Sequence, residues 1–369
     1  MNQNSIMIPA ANHEDGLYYA DVRELPCAVH GLIYENGAYR RMPEAVAKAV
    51  SSDVYGLHAN TSGGRLRLIT DSKRMGLRVK VDSVTRFDHM PLTGTLGFDV
   101  YRGERYLHTF RPPADVKDEY SAVVGLHSTG EGEYTLNFPL YNNVVSVEMG
   151  LEPGSVLKMP EPYAKAPVLF YGSSITQGGC ASRPGLCFAN ILSRDLECDI
   201  WNLGFSGSAK GETVMAEYIA GLPMSVFVYD YEHNAPNADH LEKTHGPFLD
   251  LIRAARPDLP ILLLTRPDAF TTDFGGNENI RRHDIIENNW KQRVAAGDTN
   301  LYFIDGKELW DGDHWYDCTV DSCHPNDLGF YRMAQVILPV LRAMLGRKPE
   351  CAHQNKSDPP IDSLYGQLI

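Results

Sequence analysis

The chain has 369 residues, of which 43% are hydrophobic and 22% are charged, a composition typical of a globular protein with a sizeable core. Its formal net charge of −13 argues against nucleic acid or an anionic membrane surface as the main partner. No stretch of the sequence approaches the roughly 18 apolar residues of a membrane span, so no membrane partner is expected.

The start of the chain and its cysteines concern the cellular compartment. Residues 1–9 lack the basic start and the apolar run of a secretion signal. The seven cysteines are an odd number without a repeating spacing, which favours free thiols in a reducing compartment. Together these observations predict a cytoplasmic location.

The first part of the chain has the pattern of antiparallel strands. Short runs of alternating polar and apolar residues, separated by turn residues, extend from about residue 34 to 156. Residues 102–104 and 130–133 are predicted hairpin turns. A helix is predicted only near residues 43–50. Residues 1–158 are therefore predicted to form an antiparallel β-sandwich domain of jelly-roll-like type. Examples of the predicted strands are residues 66–69, 76–81, 96–101 and 134–138.

Residues 152–162 are rich in proline and glycine and are predicted to be a linker. Beyond it, almost continuously apolar runs alternate with helical stretches, as in strands that are covered on both faces. This alternation predicts an α/β domain over residues 163–347, with a doubly wound parallel sheet, followed by a polar tail over 348–369. The predicted strands are 168–171, 200–203, 226–229, 261–265 and 301–304, and the predicted helices are 189–195, 211–218, 241–255, 280–294 and 328–345.

A glycine and two serines, Gly172, Ser173 and Ser174, follow the first strand of this sheet. Ligands in doubly wound sheets bind at the carboxyl ends of the strands, which is where these residues fall. A serine at the start of the following helix would have backbone N–H groups nearby that suit an oxyanion or a phosphate. The alternative is an ordinary turn in which the serine only caps the helix.

Asp321 and His324 lie just before a predicted helix start at Pro325 and Asn326. A carboxylate three residues before a histidine can reach the imidazole Nδ1 and fix its tautomer, which leaves the other nitrogen free to accept a serine proton. With the serines, these residues supply the parts of a Ser-His-Asp nucleophilic site. The alternative is a solvated loop with a surface histidine, one of thirteen in the chain.

From about residue 168 to 345 the chain resembles the SGNH (GDSL-type) hydrolases, whose sequence signatures occur in a fixed order along a flavodoxin-like sheet. Residues 172–176 are similar to the first signature, which implies that Ser174 is the nucleophile and donates a backbone N–H to the oxyanion. Residues 202–207 are similar to the second, which implies that the Gly207 N–H also binds the oxyanion. Asp321 and His324 match the last, which implies that His324 is the base and Asp321 its orienting partner.

The chain departs from the family pattern in two places. Ser173 replaces the aspartate that normally precedes the nucleophile, as in some subgroups of the family. The third signature, normally Gly-x-Asn-Asp, is replaced by residues 230–236, in which Asn234 is the candidate for the side-chain donor to the oxyanion. The alternative is that Asn234 is a turn residue. Asp230 and Glu232 are left without a role.

The region around residues 97–101 resembles the β-sandwich domain that precedes the hydrolase domain in a bacterial subgroup of the same family. Such a domain could supply aromatic residues to the substrate cleft or help assemble a homo-oligomer. The alternative is a scaffold that only covers one side of the hydrolase domain.

Three further residues are candidates for substrate contacts. Arg266 follows the fourth strand at the same sheet edge, where it would meet the substrate or form a structural ion pair. Trp315 and Tyr316, with Trp310 before them, could stack on a sugar ring or pack in the core. No metal site is expected, because the cysteines near the predicted site lack the paired spacing of zinc ligands. Those cysteines are Cys180, Cys187, Cys318 and Cys323.

The resemblance and the candidate residues predict a serine esterase that works through an acyl-enzyme intermediate without a cofactor. The favoured substrates are oligosaccharides that carry O-acetyl groups, since β-sandwiches occur beside sugar-active domains and the sequence has no apolar lid for lipids. The alternatives are a general short-chain carboxylesterase or thioesterase, and a carbohydrate-binding protein without catalytic activity.

Overall fold

The structure is a computed structural model that describes residues 4–127, 130–268 and 276–346. The polar tail predicted over residues 348–369 lies outside the described residues. The first part of the chain forms antiparallel sheets, and the second part forms a parallel sheet covered by helices.

Most strands of the antiparallel part belong to one of two large sheets. Its strands are β1 (Ser5–Met7), β2 (Tyr18–Asp21), β3 (Ala28–His30), β4 (Ile33–Glu35), β5 (Ala38–Arg40), β6 (Arg65–Thr70), β7 (Arg74–Val81), β8 (Phe98–Arg102), β9 (Arg105–Phe110), β10 (Glu119–Gly125), β11 (Gly132–Asn137), β12 (Val144–Leu151) and β13 (Val156–Lys158). Its helices are α1 (Glu44–Val50), α2 (Ser52–Leu57) and α3 (Leu92–Thr95), with a 3₁₀ turn at Val22–Glu24.

Most of these strands form the predicted β-sandwich, while β4 and β5 pair with each other in a separate sheet. One sheet has the order β1-β13-β6-β11-β8-β9, with β3 beside β6, and the facing sheet has the order β10-β7-β12-β2. Alternate side chains of each sheet are buried in one shared core, for example Leu66 and Leu68 of β6 against Leu77 and Val79 of β7. The alternation of polar and apolar residues along these strands therefore reflects one buried face on each sheet.

Two details of the prediction are wrong. The predicted linker contains strand β13, which pairs with β1 and β6 and buries Leu157 in the sandwich core. This segment therefore forms a strand, although prolines lie on both sides of it. The turn at residues 130–133 does not close a hairpin, because β10 and β11 lie in different sheets. By contrast, the turn after Arg102 does join paired strands, β8 and β9.

The second part is the predicted doubly wound parallel sheet. Its strands are β14 (Val168–Gly172), β15 (Ile200–Gly204), β16 (Val226–Asp230), β17 (Ile261–Leu264) and β18 (Leu301–Ile304). The order β15-β14-β16-β17-β18 is that of flavodoxin-like folds, in which the second strand lies on one side of the first and the later strands lie on its other side. The helices are α4 (Ser174–Gln177), α5 (Phe188–Asp195), α6 (Thr213–Gly221), α7 (Ala238–Ala255), α8 (Gly276–Ala295) and α9 (Asp327–Met344), with 3₁₀ turns at Pro184–Leu186, Glu232–Asn234, Gly306–Glu308 and Trp315–Asp317.

Each strand of this sheet buries side chains on both faces. Val168 and Phe170 of β14 pack in the core that contains α5 and α9, while Leu169 and Tyr171 pack in the core that contains α6 and α7. Such strands are continuously apolar because neither face meets water. Among the described residues, no helix combines the length with the apolar character that crossing a membrane requires.

The outer side of edge strand β15 is covered by two arginines from the sandwich part. Arg41 and Arg65 are almost completely buried. The Arg41 guanidinium donates to the carbonyl oxygens of Asn202 and Gly204, and the Arg65 guanidinium donates to that of Ile200. These carbonyl groups would otherwise be open to pairing with another strand.

Candidate active site

The chain enters the candidate site through the tight turn after β14. A Cβ at Gly172 would collide with the Thr176 side chain and with the backbone of the neighbouring strand β16, so only glycine fits there. The Ser173 hydroxyl accepts a hydrogen bond from the Ile175 N–H (3.1 Å) and is the N-cap of α4. Ser174, the first residue of that helix, is therefore free to direct its hydroxyl elsewhere.

The structure brings together the three residues that the sequence predicts to form a nucleophilic site. Ser174 Oγ lies 2.9 Å from His324 Nε2, and His324 Nδ1 lies 2.7 Å from Asp321 Oδ2. The Asp321 carboxylate also accepts the backbone N–H groups of Cys323 (3.1 Å) and His324 (2.7 Å). Asp321 is thus locked in a turn that leads directly into α9.

The environment of Asp321 keeps it ionised. Burial raises the pKa of this carboxyl, but the hydrogen bonds from His324 and Cys323 and the attraction of the imidazole outweigh burial and hold the pKa below its usual value. A charged Asp321 requires the proton of the neutral imidazole to sit on Nδ1, which leaves Nε2 as an acceptor towards Ser174. The arrangement can therefore remove a proton from the serine hydroxyl.

Two backbone N–H groups at the sheet edge are available as donors. Within the described parts of the chain, the N–H groups of Ser174 and Gly207 donate to no other group. Gly207 has a positive φ of 66°, which favours glycine, and a Cβ there would meet nothing within 4 Å. Both residues follow neighbouring strands, since Gly172 of β14 is in register with Gly204 of β15.

Asn234 joins this loop to the one after β16. Its Nδ2 donates a hydrogen bond of 2.7 Å to the carbonyl oxygen of Phe205, two residues before Gly207. A second N–H on the same nitrogen remains for another acceptor. The residue lies in the 3₁₀ turn Glu232–Asn234, which takes the place of the expected third signature.

Asp230 and Glu232, which the sequence left without a role, are buried and hold the loops in place. Asp230 Oδ2 accepts the Thr176 hydroxyl (2.8 Å) and so ties β16 to α4, while Glu232 Oε2 accepts the Arg266 N–H (2.8 Å). Burial raises the pKa of Asp230 to about 7, against a smaller opposing effect of the Thr176 hydrogen bond. Burial likewise raises the pKa of Glu232 to about 8, against the Arg266 N–H and charge.

The three residues predicted to contact the substrate, Arg266, Trp315 and Tyr316, differ in burial and in their contacts. Arg266 forms the structural ion pair, with bonds of 2.6 and 2.7 Å to both carboxylate oxygens of Asp268. Trp315 and Tyr316 are 46% and 64% exposed on the segment that leads to Asp321, whereas Trp310 is buried in the core. Core packing is thus excluded for Trp315 and Tyr316.

The sandwich part supplies residues to the site that the sequence did not reveal. The Tyr141 hydroxyl donates to the carbonyl oxygen of Ser174 (3.1 Å), and the ring of His89 lies 5.6 Å from that of His324. Neither residue lies in a recognisable motif, because contacts between distant segments leave no local pattern. The sandwich is therefore more than a distant scaffold.

Comparison with known proteins gives matches to both parts of the chain. A family model described as the GDSL-like lipase/acylhydrolase family matches residues 165–342. A second, described as the N-terminus of SGNH hydrolase-type esterases, matches residues 17–157. No curated protein matches the chain.

Solved structures share the fold over most of the chain. A protein described as a GDSL-like lipase from Bacteroides ovatus is 27% identical, with a TM-score of 0.80 over 91% of this chain and 100% of its own. The salicylyl-acyltransferase SsfX3 from a tetracycline biosynthetic pathway is 20% identical, with a TM-score of 0.73 over 89% of this chain and 97% of its own. An acetyl xylan esterase from the rumen bacterium Butyrivibrio proteoclasticus is 12% identical, with a TM-score of 0.56 over 89% of this chain and 99% of its own.

Proposed function

Because the chain belongs to the SGNH (GDSL-type) hydrolase family, in the subgroup with an N-terminal β-sandwich, and is a carboxylic ester hydrolase, we propose that it removes O-acetyl groups from carbohydrates. The nucleophile in this proposal is Ser174, the base is His324 and the orienting carboxylate is Asp321. The observation that carries the assignment is the continuous chain of hydrogen bonds from Ser174 Oγ through the His324 ring to Asp321, with distances of 2.9 and 2.7 Å.

In the first half of the proposed reaction, Ser174 Oγ attacks the carbonyl carbon of the ester while His324 Nε2 accepts the hydroxyl proton. The tetrahedral intermediate collapses, and the sugar hydroxyl leaves with the proton from His324. In the second half, His324 removes a proton from water, which attacks the acetyl-enzyme. The resulting intermediate collapses, acetate is released, and Ser174 Oγ takes the proton back from His324. Asp321 keeps the Nδ1 proton in place throughout. Each step uses groups of this chain and water.

The negative charge of the tetrahedral intermediate needs hydrogen-bond donors. We assign this role to the backbone N–H groups of Ser174 and Gly207 and to the second N–H of Asn234 Nδ2. Support comes from the two backbone N–H groups at adjacent strand ends, which donate to no other group among the described residues, and from the bond that ties Asn234 to the Gly207 loop. Donors fixed before the reaction stabilise the transition state more than the ground state.

Replacing Asn234 with alanine is expected to lower kcat by about 100-fold or more, with a smaller change in KM, because one oxyanion donor is lost. Steady-state kinetics on an acetyl ester measures both constants. Asn237→Ala is the matched control, since Asn237 caps α7 through the His240 N–H and is expected to change stability without changing kcat. An unchanged kcat for Asn234→Ala would remove Asn234 from the oxyanion site.

The carbohydrate part of the proposal rests on surface features and on similarity. Trp315 and Tyr316 present exposed rings on the segment that leads to Asp321, where they could stack on sugar faces. The His324 side chain is itself 21% exposed, which gives a bulky alcohol access to the reacting atoms. A structural neighbour is described as an acetyl xylan esterase.

Acetate release from a panel of acetylated oligosaccharides tests this substrate class. Acetylated sugars are expected to be hydrolysed with a higher kcat/KM than acetyl, butyryl and octanoyl esters of one chromogenic alcohol. Comparable values for the longer acyl esters would favour the general carboxylesterase or thioesterase. Preferred transfer of the acyl group to an added alcohol would favour an acyltransferase, the activity named for one structural neighbour. The absence of any ester hydrolysis would favour a carbohydrate-binding protein.

The cysteines bear on the compartment in which this reaction would occur. The six cysteines in the described part of the chain are free thiols, five of them buried. Free thiols are usual in reducing compartments. A cytoplasmic location, with imported oligosaccharides as substrates, therefore remains a part of the proposal.

A further inference from the structure

Three side chains of metal-binding type meet beside Ser174. The ligand atoms of His89, Cys180 and His324 all lie within 4.8 Å of one another. The residues come from three distant segments, before α3, after α4 and before α9. The sequence does not reveal this cluster, because its three members lie far apart in the chain and have no paired spacing.

Both histidines are oriented in the way that zinc-binding histidines commonly are. His89 Nδ1 lies 2.9 Å from Asp88 Oδ1, and His324 Nδ1 lies 2.7 Å from Asp321 Oδ2. A carboxylate on Nδ1 fixes the tautomer and the orientation of the ring, and it leaves the lone pair of Nε2 free to bind a metal. The side chains of His89 and His324 are 30% and 21% exposed, so an ion can reach them from solvent.

Cys180 completes the set from the buried side of the cluster, where it is 5% exposed. Burial raises the pKa of this thiol to about 12, so the metal-free protein holds it protonated. A bound divalent metal displaces the proton from a coordinating thiol. Two imidazoles and one thiolate are preferred ligands of Zn²⁺, and bond lengths of about 2.0–2.3 Å place tetrahedral ligands roughly 3.5 Å apart, within small side-chain movements of the observed cluster.

We propose that His89, Cys180 and His324 form a Zn²⁺ site that switches off the esterase. Zn²⁺ takes the lone pair of His324 Nε2, which is the lone pair that accepts the Ser174 proton, and Cys180 releases one proton to solvent as its S–Zn bond forms. Water fills the fourth position. Zinc binding and proton transfer from Ser174 are therefore mutually exclusive. The inhibition rests on the proposed function, whereas the binding site does not.

Two measurements on the full chain test this site. Calorimetric titration with Zn²⁺ is expected to show one high-affinity ion per chain, and Co²⁺ is expected to produce the near-ultraviolet charge-transfer absorption of a cobalt–thiolate bond. Hydrolysis of an acetyl ester is expected to stop on addition of one equivalent of Zn²⁺ and to return on addition of a chelator.

Variants separate this site from general zinc inhibition. His89→Gln is expected to raise the Zn²⁺ concentration for half-inhibition by about 100-fold, measured relative to the variant's own metal-free activity. Cys180→Ser is expected to remove the charge-transfer band. Two matched controls should keep wild-type zinc inhibition, namely Cys323→Ser, a neighbouring thiol outside the ligand set, and His13→Gln, another histidine that pairs with an aspartate.

The proposal is overturned if the wild type binds no stoichiometric Zn²⁺, if Co²⁺ gives no thiolate band, or if His89→Gln is inhibited at the wild-type concentration. A wild type without esterase activity would refute the proposed function instead. In that case the calorimetric titration and the cobalt spectrum still decide whether the metal site exists.

Discussion

Replacing Ser174 with alanine is expected to lower kcat for acetyl ester hydrolysis by at least about 10⁴-fold, because it removes the hydroxyl that is bonded to His324 Nε2 and would form the acyl-enzyme. The stability of the fold is expected to change little, since Ser174 is not the cap of α4 and its hydroxyl is bonded to His324, whose side chain is partly exposed to water. Steady-state rates, a test for the acyl-enzyme by mass spectrometry, and thermal unfolding measure these quantities.

The adjacent serine provides the control. Ser173→Ala removes the N-cap bond to the Ile175 N–H and is expected to destabilise the protein by about 1 kcal/mol, while acyl-enzyme formation persists. If Ser173→Ala abolished the acyl-enzyme and Ser174→Ala did not, the nucleophile would be assigned to the wrong serine. This pair of variants therefore also tests the alignment with the first family signature.

Replacing Asp321 with asparagine is expected to lower kcat by about 10⁴-fold, although the variant keeps the shape of the side chain. The asparagine oxygen can still accept the backbone N–H groups of Cys323 and His324, so the turn is retained. Its NH₂ group would then face His324 Nδ1 and donate to it, which moves the ring proton to Nε2. A protonated Nε2 cannot accept the Ser174 proton.

A second aspartate–histidine pair in the same region serves as the control. Asp317 lies three residues after His314, and its carboxylate is 3.0 Å from the Nδ1 atom of that exposed histidine. Asp317→Asn is expected to leave kcat within about twofold, since His314 takes no part in the proposed reaction. Equal losses for Asp317→Asn and Asp321→Asn would indicate a general disturbance of the loop and would contradict the specific role of Asp321.

The parallel sheet was predictable from the sequence because its strands are buried on both faces and therefore appear as short apolar runs. The predicted strand at residues 301–304 has the bounds of β18, and the order of the strands is that of the flavodoxin-like sheet that the family resemblance implies. The meeting of Ser174 with His324 was also predictable, since both follow signatures whose places at the sheet edge are set by the family fold. For these two residues, the local sequence signature and the position in the fold lead to the same prediction.

The contributions of the sandwich to the site could not be predicted in this way. Tyr141 and His89 approach Ser174 and His324 only after two separately patterned parts pack together, and side-chain periodicity records which face is buried but not what covers it. The same limit explains the error at residues 130–133, where the turn was recognised but the change of sheet was not. For Arg266, the sequence alone left the choice between an ion pair and a substrate contact open.

Because Arg41 and Arg65 cover edge strand β15, the two parts of this enzyme depend on each other. The carbonyl groups at the border of the sheet are satisfied by guanidinium groups that belong to an earlier stretch of the chain. A fragment that begins after the sandwich would expose the carbonyl oxygens of edge strand β15, which could then pair with a strand of another molecule and cause self-association. The parallel-sheet part should therefore not be expressed alone, and any chimera must contain it together with the sandwich.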